Sequence, residues 1–415
     1  MQKLFSKINL ILTSKRLKYP WFIGGALWAA WLLNLLIGKG NTDLAGHLVG
    51  TDFVAFYTAG KIILMGRSAE LYNLELAHSI QQNLYGGFSF NFNPYLNPPH
   101  YALLMAPFAL IPYPWAPLIW IGLGLACLWL SVKLLGAEHP KRTFFLALTW
   151  LPVFYAASFG QNAFLSLFIF SLTYFLWKRD RSFLAGLSFS LLFYKPQFLI
   201  GVGLLWMFEW RKSWKALVGL GIGCLAQVIL NLWLLPGATM AYLTYALKIN
   251  ANLMSVEGFP MWNAFSVQAF WLALFPGLIG LAQAVYLLCV LVFFYFFLSF
   301  WKKNSRTSPV MFSASVIWLV LTIPYIMIYD WTLLLVPAVL LWENERFLRP
   351  QWQATYALMW VVTFLSSVLT FAMLRFLPFA IQISIPTLIL ATAAAYQSLM
   401  KDYSPGLAPE AAKQV

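Results

Sequence analysis

The sequence predicts an all-α membrane protein: a multi-pass bundle of about twelve transmembrane helices, with shorter helices lying on its outer face. Three observations carry this expectation. The 415 residues are 61% hydrophobic and 10% charged, whereas a soluble domain is about a quarter charged. The apolar residues fall into long runs separated by short basic clusters. The 20 tryptophans suit the belts that aromatic rings form at membrane interfaces. A chain so poor in charge cannot cover a water-exposed surface, which excludes a soluble globular protein, a disulfide scaffold and a disordered chain.

The net charge of +14 would point to nucleic acid in a soluble chain. Here Lys and Arg gather in the loops between apolar runs, as they do on the cytoplasmic side of membrane proteins. No basic run interleaved with aromatics lies outside those loops, so nucleic-acid binding is excluded. Cys127, Cys224 and Cys289 all sit inside apolar runs and read as small buried hydrophobes.

The elements follow in order. Lys3, Lys7, Lys15, Arg16 and Lys18 precede the apolar run Trp21 to Ile37. This predicts an uncleaved anchor with a cytoplasmic N-terminus. A large outer loop then runs over 38–113. Within it, Thr51 and Asp52 open a helix from Phe53 to Met65, stopped at Gly66. A second helix starts at Asn73 and ends at Gly86-Gly87. Both are expected to lie at the interface. Later spans are predicted near 114–135, 143–158, 162–177, 182–194, 196–209, 214–235, 277–301, 310–329, 331–342, 353–374 and 377–398, with every basic cluster inside and both termini cytoplasmic. Residues 98–112 and 262–275 are apolar enough to cross, but crossing would invert the charge pattern. They are therefore expected to be re-entrant or surface-lying on the outer side. Residues 1–402 read as one domain, and 403–415 as a short disordered tail.

Ionisable residues at membrane depth or at the outer face are the functional candidates. They are Asp52, Lys195, Asp330 and Arg375, joined by His47 and His100 of the outer loop. Asp52 suits a helix N-cap, and it equally suits a general base kept ionised by the helix N-terminus. Lys195, in a tight turn before Pro196, is either a snorkelling side chain or a partner for a lipid phosphate. Arg375 follows the same logic and also suits an interface anchor. Asp330 orients a polar substrate or pairs with Lys195 or Arg375. Gly160-Gln161-Asn162 forms a polar turn whose amides suit sugar hydroxyls and are equally ordinary in turns. His47 and His100 lack further ligands, so no metal is expected, and no cofactor. Together these residues describe an outward-facing site for a polar group carried on a lipid phosphate.

The segment Thr51-Asp52-Phe53-Val54-Ala55-Phe56-Tyr57-Thr58-Ala59-Gly60, with Leu64-Met65-Gly66 and Leu71-Tyr72, resembles the opening of glycosyltransferase family 87. Asn97-Pro98-Pro99-His100 through Pro112 is similar to the family's next block. Gly160-Gln161-Asn162, Lys195-Pro196, and Pro324-Tyr325 with Tyr329-Asp330 resemble later ones, in order. The resemblance implies a GT-C fold with its site facing the periplasm or cell exterior. It implies that Asp52 is the catalytic base, and that the donor is a polyprenyl-phosphate sugar, mannose or another hexose or pentose. The acceptor would be a lipid or glycan. Lys195 and Arg375 would meet the donor phosphate, and Tyr57, His100, Gln161, Asn162, Tyr329 and Asp330 would line the substrate. Some mannosyltransferases of the family carry a histidine pair near the position of Tyr329 and Asp330, where this chain has none. The rival expectation is a multi-pass lipid or solute transporter or flippase. Such proteins show repeated halves and broken helices at the bilayer midplane, and no repeat is visible here.

Overall fold

The computed structural model describes residues 18–86, 92–251, 253–255, 259–303, 308–342 and 349–400. The basic cluster Lys3 to Arg16, the second glycine of Gly86-Gly87, residues 304–307 and 343–348, and the tail 403–415 lie outside them. The described residues are helical throughout apart from turns and loops, with two isolated β-bridges and no strand.

Among the described residues, five helices are long and apolar enough to cross a membrane. These are α1 (Tyr19–Ile37), α5 (Trp115–Leu134), α11 (Trp210–Leu234), α13 (Ile279–Lys303), and the apolar part of α16 (Arg349–Phe376). At 1.5 Å per residue, the 19 residues of α1 span about 28 Å, close to the bilayer core. A sixth span arises if α7 (Leu151–Ser158) and α8 (Ala163–Lys178) count as one, although they are bent by 120° at 159–162. The remaining predicted spans are shorter or broken helices. They include α6 (Pro140–Leu148), α9 (Ser182–Ser190), α10 (Ile200–Phe208), α14 (Pro309–Thr322), α15 (Leu335–Trp342) and α17 (Ser384–Met400). Proline explains several of the breaks: Pro140, Pro152, Pro196 and Pro309 each open a helical segment, where their missing N–H costs nothing.

The long segment between α1 and α5 holds α2 (Phe53–Leu64) and α3 (Leu74–Leu84), close to the expected bounds. Asn73 caps α3 by accepting from the Leu76 N–H at 3.1 Å. Gly66 and Gly86, both at positive φ, follow the two helices. The two ambiguous apolar runs become α4 (Pro99–Ala109) and α12 (Val267–Leu274). Eleven and eight residues reach only about 16 and 12 Å, too short to cross.

Two packing devices set the geometry around the site. Helices α9 and α11 meet backbone to backbone: a side-chain carbon on Gly186 would strike the carbonyl of Ala216, and one on Gly219 the carbonyl of Phe183. Small residues permit this approach, the usual means of joining helices where no hydrophobic drive exists between them. Gln227 then donates from Nε2 to the Ser190 carbonyl at 2.8 Å, tying down the end of α9 just before the Lys195 turn. The second device pairs the 264–266 segment with 324–331. Ala264 and Met327 form a bridge, the Phe265 N–H donates to the Ile326 carbonyl, Ser266 Oγ donates to the Pro324 carbonyl, and Trp331 Nε1 donates to the Phe265 carbonyl.

Candidate active site

Asp52 sits at the N-cap position of α2, but its side chain caps nothing. The cap expectation is corrected here, because both carboxylate oxygens are held from elsewhere. Asn93 Nδ2 donates to Oδ1 at 3.0 Å, and Gln161 Nε2 donates to Oδ2 at 2.7 Å. Two carboxylate oxygens offer about four lone-pair sites, so capacity remains for an incoming proton. Burial pushes the Asp52 carboxyl up to about 6. The amides of Gln161 and Asn93 and the charge of Lys195 pull in the opposite direction.

The bend between α7 and α8 brings Gln161 to this carboxylate. The Phe159 carbonyl accepts from the Asp52 N–H at 3.0 Å and from the Phe53 N–H at 3.2 Å. Gly50 and Gly160, both at positive φ, press against each other and against Phe53. A side-chain carbon on Gly160 would lie 2.8 Å from Phe53 Cβ. Glycine at both positions is what lets the two turns touch.

Lys195 faces the same site from the turn after α9. Its Nζ donates to Asp330 Oδ1 at 2.7 Å, with the two side chains 12% and 6% exposed. The ammonium also lies 5.2 Å from the Phe198 ring centre and 5.7 Å from that of Tyr329. Asp330 Oδ2 accepts from the Met327 N–H at 3.4 Å. Of the two readings of Asp330, the structure contains the ion pair with Lys195. Lysine has three N–H donors, so that pairing leaves others for an anion. Tyr325 and Tyr329 are neighbours, each within electrostatic reach of Asp52 and Asp330.

Asp52, Gln161, Lys195, Tyr329 and Asp330 thus converge. The other expected residues stand apart. The Tyr57 hydroxyl donates to the Ile111 carbonyl at 2.9 Å, and its ring packs on Tyr113, which ties α2 to the end of α4. His100 stacks on Phe193, and its Nδ1 lies 3.0 Å from Asn231 Nδ2. Asn162 is buried, and its carbonyl accepts from the Ser166 N–H at 3.1 Å at the start of α8. Arg375 is exposed in the last turn of α16, and among the described residues no hydrogen bond or ion pair joins it to the cluster. His47 pairs loosely with Asp43 at the exposed surface.

Asn93 is the residue that sequence reasoning missed. Its signal is faint: an asparagine in a loop rich in Asn, Pro and aromatics, 41 positions from the carboxylate it holds. Among the described residues no group of three His, Cys, Asp or Glu side chains comes together.

The arrangement offers a carboxylate with a raised pKa, oriented by two amides, beside a cation and a pair of tyrosines in an apolar bundle. Residues 95–337 match glycosyltransferase family 87. No curated protein and no solved structure matches the chain.

Proposed function

The chain belongs to glycosyltransferase family 87 and is a membrane glycosyltransferase, and on that premise we propose that it transfers a sugar from a polyprenyl-phosphate donor to a lipid or glycan acceptor. The sugar is mannose or another hexose or pentose. The fold is read as a GT-C-type bundle of about twelve helices, with the short and broken helices completing the bundle inside the bilayer. It lies in the cell membrane with both termini cytoplasmic and the site facing the periplasm or exterior.

The observation that supports this most is the carboxylate of Asp52, held by Asn93 and Gln161 within electrostatic reach of Lys195. In the reaction, Asp52 takes the proton of the acceptor hydroxyl. The acceptor oxygen forms a bond to the anomeric carbon from the face opposite the phosphate. The bond from that carbon to the phosphate oxygen breaks, and its electron pair leaves with polyprenyl phosphate. Configuration inverts. Phosphate is already a good leaving group, so one carboxylate suffices where glycoside hydrolysis uses two. Lys195 stabilises the charge that develops on the departing phosphate. Asp330 holds the ammonium in place by its 2.7 Å hydrogen bond. Arg375, at the end of α16, is a second candidate for the phosphate or an anchor at the interface.

Purified protein incubated with a synthetic polyprenyl-phosphate mannose and a membrane lipid extract tests the reading. Donor loss with a matching hexose mass gain on a lipid or glycan supports it. Solute movement across vesicles with the donor intact would support the transporter instead.

A further inference from the structure

The amide of Asn93 can orient Asp52 only if the loop carrying it is itself fixed. Its described residues, 92–98, hold no helix, and Pro94 follows Asn93. The fixing group is Gln81 on α3. Gln81 Nε2 donates to the Asn93 carbonyl at 2.7 Å, and Gln81 Oε1 accepts from the Asn93 N–H at 3.1 Å. One side chain thus satisfies both main-chain groups of a single residue, as a neighbouring strand would. Gln81 is fully buried (0% exposed), where an unpaired amide would be costly, so both hydrogen bonds are needed. His78, one turn earlier on α3, packs its ring against Phe92. Two side chains on one face of α3 therefore grip residues 92 and 93.

We propose that Gln81 is a positioning residue for the catalytic base, acting through Asn93 so that helix α3 sets the orientation of the Asp52 carboxylate. This rests on the reading of Asp52 as the base. The chain of contacts is Gln81 to the Asn93 main chain, Asn93 Nδ2 to Asp52 Oδ1, and Gln161 Nε2 to Oδ2. The anchor for the base therefore comes from a helix of the outer loop as well as from the bundle. Asn41 Nδ2 donates to the Leu84 carbonyl and fixes the far end of that helix.

The test is the pH dependence of turnover with a polyprenyl-phosphate sugar donor, for the parent, Gln81→Met, Gln81→Asn, Asn93→Ala and the double variant Gln81→Met/Asn93→Ala. Methionine fills the space without either hydrogen bond, and asparagine keeps the amide one methylene short of its reach. The titratable groups that face Asp52 are Lys195, Tyr113, Tyr325 and Tyr329, with Asp330 behind Lys195 and His78 beside Phe92. All of these are unchanged in the variants. A misaimed Asn93 amide no longer favours the ionised carboxylate. The acid midpoint of kcat is therefore expected to rise by roughly one pH unit. The plateau is expected to fall by roughly tenfold at most, with little change in KM for the donor. The double variant is expected to lose no more than Asn93→Ala alone, since both act through one contact. An unmoved midpoint in either folded Gln81 variant overturns the proposal, as do losses that multiply in the double variant. Asp52→Asn separates the two levels. If it retains turnover, the reading of the base fails. If it is inactive while Gln81 variants keep the parent midpoint, only the positioning role fails.

Discussion

Replacing Asp52 by asparagine removes the proposed proton acceptor while keeping the shape of the side chain. Its effect on the fold follows from the geometry. Asp52 does not cap α2, so no cap is lost. An asparagine presents one oxygen and one NH₂ where the carboxylate presents two oxygens. One clamp, from Asn93 or Gln161, survives unchanged, and the other survives if that amide turns over. A buried charge disappears as well. The expected change in stability is within about 1 kcal/mol. The effect on chemistry is larger. Loss of a general base costs about 10²–10⁴-fold, equivalent to roughly 2.7–5.5 kcal/mol of barrier.

Turnover and thermal unfolding measured on the same detergent preparation separate the two quantities. The expected result is a variant as stable as the parent that binds donor and transfers at most about one part in a hundred of the parent rate. In the parent, the base must be ionised, so the rate rises with pH through about 6 and levels above it. One unit below that midpoint about a tenth of the plateau remains. The asparagine variant loses this acid limb. Near-normal transfer by the variant, or a parent rate independent of pH between 5 and 7, would refute Asp52 as the base.

Lys195→Ala is expected to weaken donor use more than Lys195→Arg, because arginine keeps the charge and changes only the geometry of contact; donor KM and kcat for both variants check this. Asp330→Asn removes the counter-charge, and loss of one partner of a buried pair is strongly destabilising, about 3–5 kcal/mol; thermal unfolding reads it. Gly160→Ala forces an L side chain into φ +65 and toward Phe53 Cβ; the strain alone costs about 1–2 kcal/mol, and transfer is expected to fall as Gln161 moves from Asp52. In a cysteine-free background, Ala45→Cys, at an exposed position of the loop proposed to face outside, is expected to react with an impermeant thiol reagent in spheroplasts, and Lys212→Cys is not. The reverse pattern would invert the topology.

The apolar runs and basic clusters made the helix positions legible, because both are local properties of the chain. Asp52, Lys195 and Asp330 were legible as candidates for a related reason: a charge flanked by apolar residues stands out wherever it lies. What local pattern conceals is partnership. Asn93 and Gln81 are neutral amides in polar surroundings, and only the fold brings them to a carboxylate. The cap reading of Asp52 failed because two distant amides outbid the nearby backbone N–H groups. The length of individual spans was also obscure. Proline breaks and the 120° bend divide runs of continuous hydropathy into helices too short to cross alone.

The ion pair between Lys195 and Asp330 has a consequence for biogenesis. Its partners are 135 residues apart in sequence. At about 5–20 residues per second, ribosomes need roughly 7–27 seconds to supply the second after the first. During that interval the ammonium has no Asp330 to meet, and the 324–331 segment that also braces the tyrosine wall has not been made. The Lys195 side of the pocket therefore forms later than the Asp52 clamp, whose residues all precede Lys195 in sequence. A nascent chain arrested before residue 330 carries every residue of the Asp52 clamp, Asn93 and Gln161 included, but only half of the ion pair.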